Sequence, residues 1–448
     1  MKNLIPFCQA AITCLLTAFA LMYLALYSGY PLYGGDTHAY VTIGFNNVIP
    51  FDRSPFYGWF LRHTSLHESL WFTVLAQSLL LAYVLLRFFR LLAGTFEPKV
   101  LAAFVIGTVA FTFVSRSASC LMSDVFTPVL LLALLLYYLE PDRPAGRKFV
   151  YLALIFLSIT MHNSHFLIVA LLSVLLLLYA VVKKVRGIAV RAVATLGLSV
   201  LYFITMSGIN AAAGNGFVFS RSASLFMVTK FAETGILNQY LDDNCETKHL
   251  RLCNNRQNIT PYPWEFMYYP NSPYMMAGGY DSCKEELSFI AHDVLTTPKY
   301  LKQYVLKAAT ATLRQLIEVQ EIGDVLCLPA DAWQRQFVKN YFPQEEKEFQ
   351  RSRQNTGLLS MYAPNAVNAI FFVLSTIAVL LLYAKTGNKL VANVYALILA
   401  FFVINAMVTA VGSTVECRYM YRIFWILPAT NLAIIIKYLA GMAGTGHK

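Results

Sequence analysis

His162-Asn163-Ser164-His165-Phe166-Leu167-Ile168-Val169-Ala170-Leu171-Leu172-Ser173-Val174-Leu175-Leu176-Leu177-Leu178-Tyr179-Ala180-Val181-Val182-Lys183-Lys184 is a polar turn, an apolar run and a pair of lysines in succession. The run from Phe166 has the length and composition of a membrane helix, which needs about 20 mostly apolar residues. Working outward from 165–183, similar runs lie near 5–28, 68–88, 98–115, 124–140, 149–162, 189–208, 364–384, 389–411 and 422–440. The sequence therefore predicts an α-helical polytopic membrane protein with about ten transmembrane helices. Composition agrees. Of 448 residues 57% are hydrophobic and 13% charged, against roughly 25% charged in soluble domains. The first apolar run exceeds a signal-peptide core of about 7–15 residues, so an uncleaved first helix is expected. Cys14 lacks the small preceding residue of a lipoprotein cleavage site.

The formal charge of +11 reports topology rather than a nucleic-acid partner, because no basic tail or aromatic-basic module is present. Basic residues fill short connections: Arg87, Arg90 and Lys99; Arg143, Arg147 and Lys148; Lys183, Lys184, Arg186 and Arg191; Lys385 and Lys389. With ten helices all four fall on one side, which the positive-inside rule makes cytoplasmic, together with both termini. The opposite face then carries residues 29–67, 115–123, the His162–His165 turn, 209–363 and 412–421. This divides the chain into a first transmembrane part (1–208), an extracytoplasmic insertion (209–363) and a second transmembrane part (364–448). The insertion is expected to be mainly helical, with amphipathic helices over Lys299–Ile317 and Ala332–Phe349 and an irregular stretch over Asn254–Gly279. Six of the eight cysteines fall on the outer side, as in an oxidising compartment. Cys245–Cys253 is the simplest candidate disulfide; the rival reading is a set of free, small, apolar side chains. No CxxC or histidine pair beside them points to zinc.

Ionisable residues are nearly absent from the helix interiors and gather at their outer ends. Such a rim suits a substrate with its tail in the bilayer and its headgroup at the surface; ion-driven transport usually needs charge near mid-membrane. Asp36, after Gly34-Gly35, is the first carboxylate past the first helix and the candidate general base. The plainer reading is a turn or cap aspartate for Thr37–Phe45, with the glycines freeing the turn. Arg53 is a candidate phosphate ligand, and Tyr57 either stacks on a sugar or lies in the aromatic belt. Arg116 and Asp124 bracket the second outer loop. Asp124 either caps the fourth helix, orients an acceptor, or joins Asp36 in holding a divalent metal ion. His162 and His165, three apart, either pack at the interface or touch phosphate or sugar. Arg418 and Arg422, flanking Tyr419, defy the positive-inside tendency, so they pair with carboxylates such as Glu416 or bind an anionic headgroup. The anion is the favoured role.

The order of these features resembles the C-type glycosyltransferase superfamily, polytopic enzymes that use polyprenyl- or dolichyl-phosphate sugars. The resemblance rests on Gly35-Asp36 with Tyr40, on Arg53-Ser54-Pro55-Phe56-Tyr57, and on Ser123-Asp124 before the leucine-rich run Val129–Leu136. Arg418-Tyr419 entering a late helix with Pro428 completes it. It covers residues 1–183 and 412–440; the acidic pair usual in the first loop is here Asp36 beside Thr37. It implies an inverting transferase at the outer face of a bacterial inner membrane. A polyprenyl-phosphate sugar is the donor, the acceptor is a lipid, glycan or protein, and Asp36 is the base. Arg53, Tyr57, Arg116, Asp124, His162, His165, Arg418, Tyr419 and Arg422 are its expected substrate contacts, and Asp36 and Asp124 its candidate metal ligands. The alternatives are a lipid-linked glycan flippase or a non-catalytic membrane scaffold.

Overall fold

A computed structural model describes residues 4–140, 144–319 and 332–445. Arg143, in one of the basic connections, and Cys327, one of the six cysteines assigned to the outer side, lie outside the described residues. Among the described residues the architecture is helical, and the backbone pairing outside helices is an isolated parallel bridge between Leu32 and Cys120. Helices of 14 residues or more are α1 (Leu4–Leu21), α2 (Leu70–Ala93), α3 (Pro98–Phe111), α4 (Phe126–Leu139), α5 (Ala145–Met161) and α6 (Asn163–Val182). They continue with α7 (Arg186–Ala212), α8 (Gly279–Thr296), α9 (Pro298–Ile317), α10 (Tyr362–Thr386), α11 (Lys389–Gly412) and α12 (Ile426–Thr445).

Among the described residues six segments are long and apolar enough to cross a membrane: α2, α6, α7, α10, α11 and the run Arg418–Ala440 that includes most of α12. At 1.5 Å per residue, a helix of 20 residues reaches about 30 Å, the thickness of a bilayer's hydrocarbon core. α3 and α4 have 14 residues each and α5 has 17, so alone they fall short of that span. α4 sits at the centre of the bundle. Every side chain from Phe126 to Tyr138 is buried, with α2, α5 and α11 packed around it. α10 is the opposite case: Ile370, Val373, Leu374, Leu380 and Leu381 point outward, an apolar face that suits lipid and not water.

The insertion divides in two. Residues from Leu225 to Tyr304 enclose a second core, with Phe231, Leu237, Tyr240, Leu287 and Ile290 at its centre, tied by a Cys245–Cys253 disulfide. Phe337, Val338, Phe342 and Phe349 instead join the core of the membrane bundle, against Tyr30 and Tyr33. The single helix expected over Ala332–Phe349 is broken into short turns, Gln336–Tyr341 and Glu346–Arg351 among them. Pro343 explains the break, since it lacks an amide proton and its ring obstructs a continuing helix. Asn254–Gly279, read as irregular, contains Pro263–Tyr268 and Pro273–Met276. Each starts on a proline whose fixed φ suits a first helical turn.

The first loop is the element that positions the site. It contains two short helices, Thr37–Asn46 and Phe56–Thr64, which cross with their backbones in contact. A β-carbon on Gly44 would lie 2.2 Å from the Gly58 carbonyl oxygen, and one on Gly58 2.7 Å from that of Tyr40. Only glycine permits this approach. Gly34 and Gly35, by contrast, need no left-handed backbone; the glycine that turns the chain is Gly29, at φ +81°. Residues 30–36 are clamped from both sides. Leu32 exchanges backbone hydrogen bonds with Ser119 and Leu121. The Gln354 side chain both donates to the Tyr33 carbonyl (2.8 Å) and accepts from its amide (3.1 Å). Tyr30 donates to buried Glu345 at 2.6 Å.

Candidate functional site

Asp36 occupies the N-cap position of Thr37–Asn46, yet its side chain makes no capping bond. The oxygens turn away to two arginines: Oδ1 lies 3.0 Å from Arg53 Nη1 and Oδ2 2.9 Å from Arg418 Nη1. Arg53 also grips Asp52 (2.8 Å), and Arg418 Nε lies 3.5 Å from Glu416. The result is an alternating chain, Asp52–Arg53–Asp36–Arg418–Glu416, drawn from the first loop and the loop before α12. Burial alone would raise the Asp36 carboxyl, but Arg418 and then Arg53 outweigh it and hold the group well below the usual carboxylate range. In this state Asp36 is a weak base.

The chain of charges floors one side of a cavity of about 440 Å³. Met161, Phe166, Leu167, Phe219 and Val408 form an apolar wall; Trp264 and Tyr268 stand at another side. The cavity is thus mostly greasy, with ionic groups along one side, a form suited to an amphiphile. Tyr40 supports Arg53 from below: its ring lies 5.5 Å from the guanidinium, and its hydroxyl is 2.8 Å from Ser123 Oγ.

Asp36, Arg53, His162, Arg418 and Tyr419 line this cavity. Arg116, Asp124 and Arg422 line a narrow crevice beside it, and Arg418 belongs to both. Asp124 is not the N-cap of α4, a position held by Val125; its Oδ1 lies 2.6 Å from Nη1 of Arg422, which is 1% exposed and also donates to Asn405. Arg116 packs over the ring of Tyr421. The Tyr419 ring is flanked by Arg418 and Arg422, each 5.1 Å away. Where the sequence favours an anion for Arg418 and Arg422, the structure pairs both with carboxylates.

Tyr57 and His165 line neither space. Tyr57 is fully buried and donates to Gln77 at 3.1 Å. His165 is buried, with its ring nitrogens 2.9 Å from Thr127 Oγ1 and 2.6 Å from the Ser158 carbonyl. His162 caps α6, its Nδ1 accepting from the Ser164 amide at 3.2 Å, while the residue faces the cavity. Burial and the Arg422 charge push its imidazole down to about 3, so it is neutral and uncharged at the wall. A divalent metal does not fit Asp36 and Asp124. Both oxygens of Asp36 and one of Asp124 are occupied by guanidinium groups, and no cluster of three or more His, Cys, Asp or Glu side chains occurs among the described residues.

Sequence reasoning passed over Asp52, Trp264 and Tyr268, and it read Tyr40 only as part of the run that begins at Gly35-Asp36. Tyr268 has its phenol moved up to about 12 by burial, and then by the charges of Asp52 and Asp36, against the opposing pull of Arg53. Its signal was present: Pro263-Trp264 followed by Tyr268 is an aromatic pair at helical spacing behind a helix-starting proline. In comparisons with known proteins, the chain matches no family model, no curated protein and no solved structure.

Proposed function

We propose that this protein is an inverting glycosyltransferase that takes a sugar from a polyprenyl-phosphate carrier at the outer face of a bacterial inner membrane. The observation that carries the reading is Asp36, held between Arg53 and Arg418 on the ionic side of a cavity whose other side is apolar. The carrier's tail would lie along the apolar wall and its phosphate on the arginines. Ten membrane spans follow if α1, α3, α4 and α5 cross as well, α4 being sheltered by protein from any mismatch with lipid. The termini are then cytoplasmic and residues 209–363 extracytoplasmic.

In the reaction, the acceptor hydroxyl oxygen attacks the anomeric carbon from the face opposite the phosphate. The bond from that carbon to the phosphate oxygen breaks, its electron pair leaves with the phosphate, and the hydroxyl proton passes to Asp36. A general base of this kind contributes about 10²–10⁴-fold. Paired with two guanidiniums, Asp36 accepts a proton poorly. A donor phosphate competes for the same Nη groups, and each guanidinium it draws away restores basicity to Asp36 as it binds the leaving group. Donor binding thus prepares the base. Arg422 and Asp124, locked together in the crevice, hold the Arg418–Tyr419 loop in place.

The test is Asp36→Asn in purified, folded protein, supplied with labelled polyprenyl-phosphate sugars and an envelope extract as acceptor source. Transfer is expected to fall at least a hundredfold. Transfer within a few-fold of wild type removes Asp36 as the base, and headgroup movement across vesicles without covalent product replaces the enzyme by a flippase.

A further inference from the structure

We propose that Trp264 and Tyr268 form a carbohydrate platform, so that the acceptor is a glycan or glycolipid rather than a protein side chain. The proposal rests on the transferase reading and names its second substrate. The two residues stand one turn apart on Pro263–Tyr268, with ring centroids 6.3 Å apart and planes 25° from parallel. They are 52% and 45% exposed, and both line the cavity that holds Asp36. A buried core pair would not leave so much ring uncovered.

What surrounds them narrows the ligand. A pyranose presents a flat face of C–H groups, which packs on an aromatic ring, and an edge of hydroxyls, which needs planar charged partners. The Asp52–Arg53 pair supplies such an edge beside Tyr268: the guanidinium meets the carboxylate through Nη2 at 2.8 Å and through Nε at 3.2 Å. A peptide acceptor would call for backbone partners along a groove, and what stands beside Trp264 and Tyr268 on this side of the cavity is the Asp52–Arg53 pair. Insertion of the two rings into lipid is the competing role for exposed aromatics. The adjoining segment opposes it, because Arg251–Asn258 and Glu265 are strongly polar.

The experiment uses the full chain in detergent on an array of immobilised oligosaccharides and unglycosylated Ser/Thr peptides. Wild type and Asp36→Asn should both bind at least one oligosaccharide class. Trp264→Ala and Tyr268→Ala should lose tenfold or more, and Trp264→Phe should keep most of it. In vesicles, brominated phospholipid should leave the Trp264 emission, taken as wild type minus Trp264→Phe, unquenched. Binding to peptides alone, equal binding by Trp264→Ala, an array with no oligosaccharide signal, or quenching of Trp264 by the lipid each overturns the platform. Oligosaccharide binding without any sugar transfer would leave the platform standing and refute the transferase instead.

Discussion

Gly44→Ala is the sharpest perturbation of the site that touches none of its charged groups. The new β-carbon would sit 2.2 Å from the Gly58 carbonyl oxygen, and such contacts essentially never fall below 3.0 Å. The crossing must therefore open by at least 0.8 Å (3.0 − 2.2). The obstruction is backbone, so no rotamer change relieves it. One helix follows directly on Asp36 and the other begins at Phe56, just past Arg53, so the displacement reaches the Asp36–Arg53 pair. Misplacement of reacting groups by about 1 Å costs roughly 10²-fold in rate, and overpacking costs about 1–3 kcal/mol of stability. Sugar transfer should fall about 30–100-fold, with a modest drop in the midpoint of unfolding in mixed detergent micelles. Gly35→Ala, next to Asp36 but with nothing within 4 Å of the added carbon, is the silent control. If Gly44→Ala matches wild type in both measurements, the two helices do not cross as described and the site built on them falls.

Three further outcomes follow from the same geometry. Arg422→Met leaves the Asp124 carboxylate buried without its closest cation. It should cost about 3–5 kcal/mol in detergent unfolding, most of it recovered in the double variant with Asp124→Leu. His162 is neutral when folded because its imidazole is held down to about 3, while the unfolded group titrates near 6.5. The associated stability is complete above that value and declines as pH falls below it. The decline should reach up to about 2 kcal/mol at pH 5 and be absent from that residue's share in His162→Asn. Reducing Cys245–Cys253, which closes a loop across a sequence separation of 8, should weaken the unit around Leu225–Tyr304 by about 2.5 kcal/mol. Limited proteolysis would then cut that unit first and leave the apolar helices protected.

What was legible in the sequence was what lipid dictates. Apolar runs such as Phe166–Val182 need no tertiary context to be read as helices, because an unpaired backbone is intolerable in hydrocarbon. The insertion lacked that constraint. Its short proline-started helices have no room for a periodic stripe, and only packing decides that Phe337–Phe349 joins the membrane core while Leu225–Tyr304 builds its own. Within the site, charges at helix ends stood out, so Asp36, Arg53 and Arg418 were found as individuals. Their pairing was not visible, since Asp36 and Arg418 are 382 positions apart. Tyr57 misled for the converse reason: its place in the Arg53–Tyr57 run looked interfacial, and only the depth of Gln77 in the bundle makes it a core residue.

That separation of 382 positions also has a dimension in time. At about 5–20 residues per second, a ribosome takes on the order of 20–80 s to travel from Asp36 to Arg418. With the proposed ten spans, the nascent loop for that interval would expose its carboxylate at the lipid boundary while the rest of the bundle is still being inserted. Arg53 emerges within seconds and contacts the opposite oxygen of the same carboxylate, so it can screen the charge until the last loop arrives. Loss of Arg53 should accordingly be felt first during biogenesis, as a chain that is cleared by proteolysis before it is ever complete.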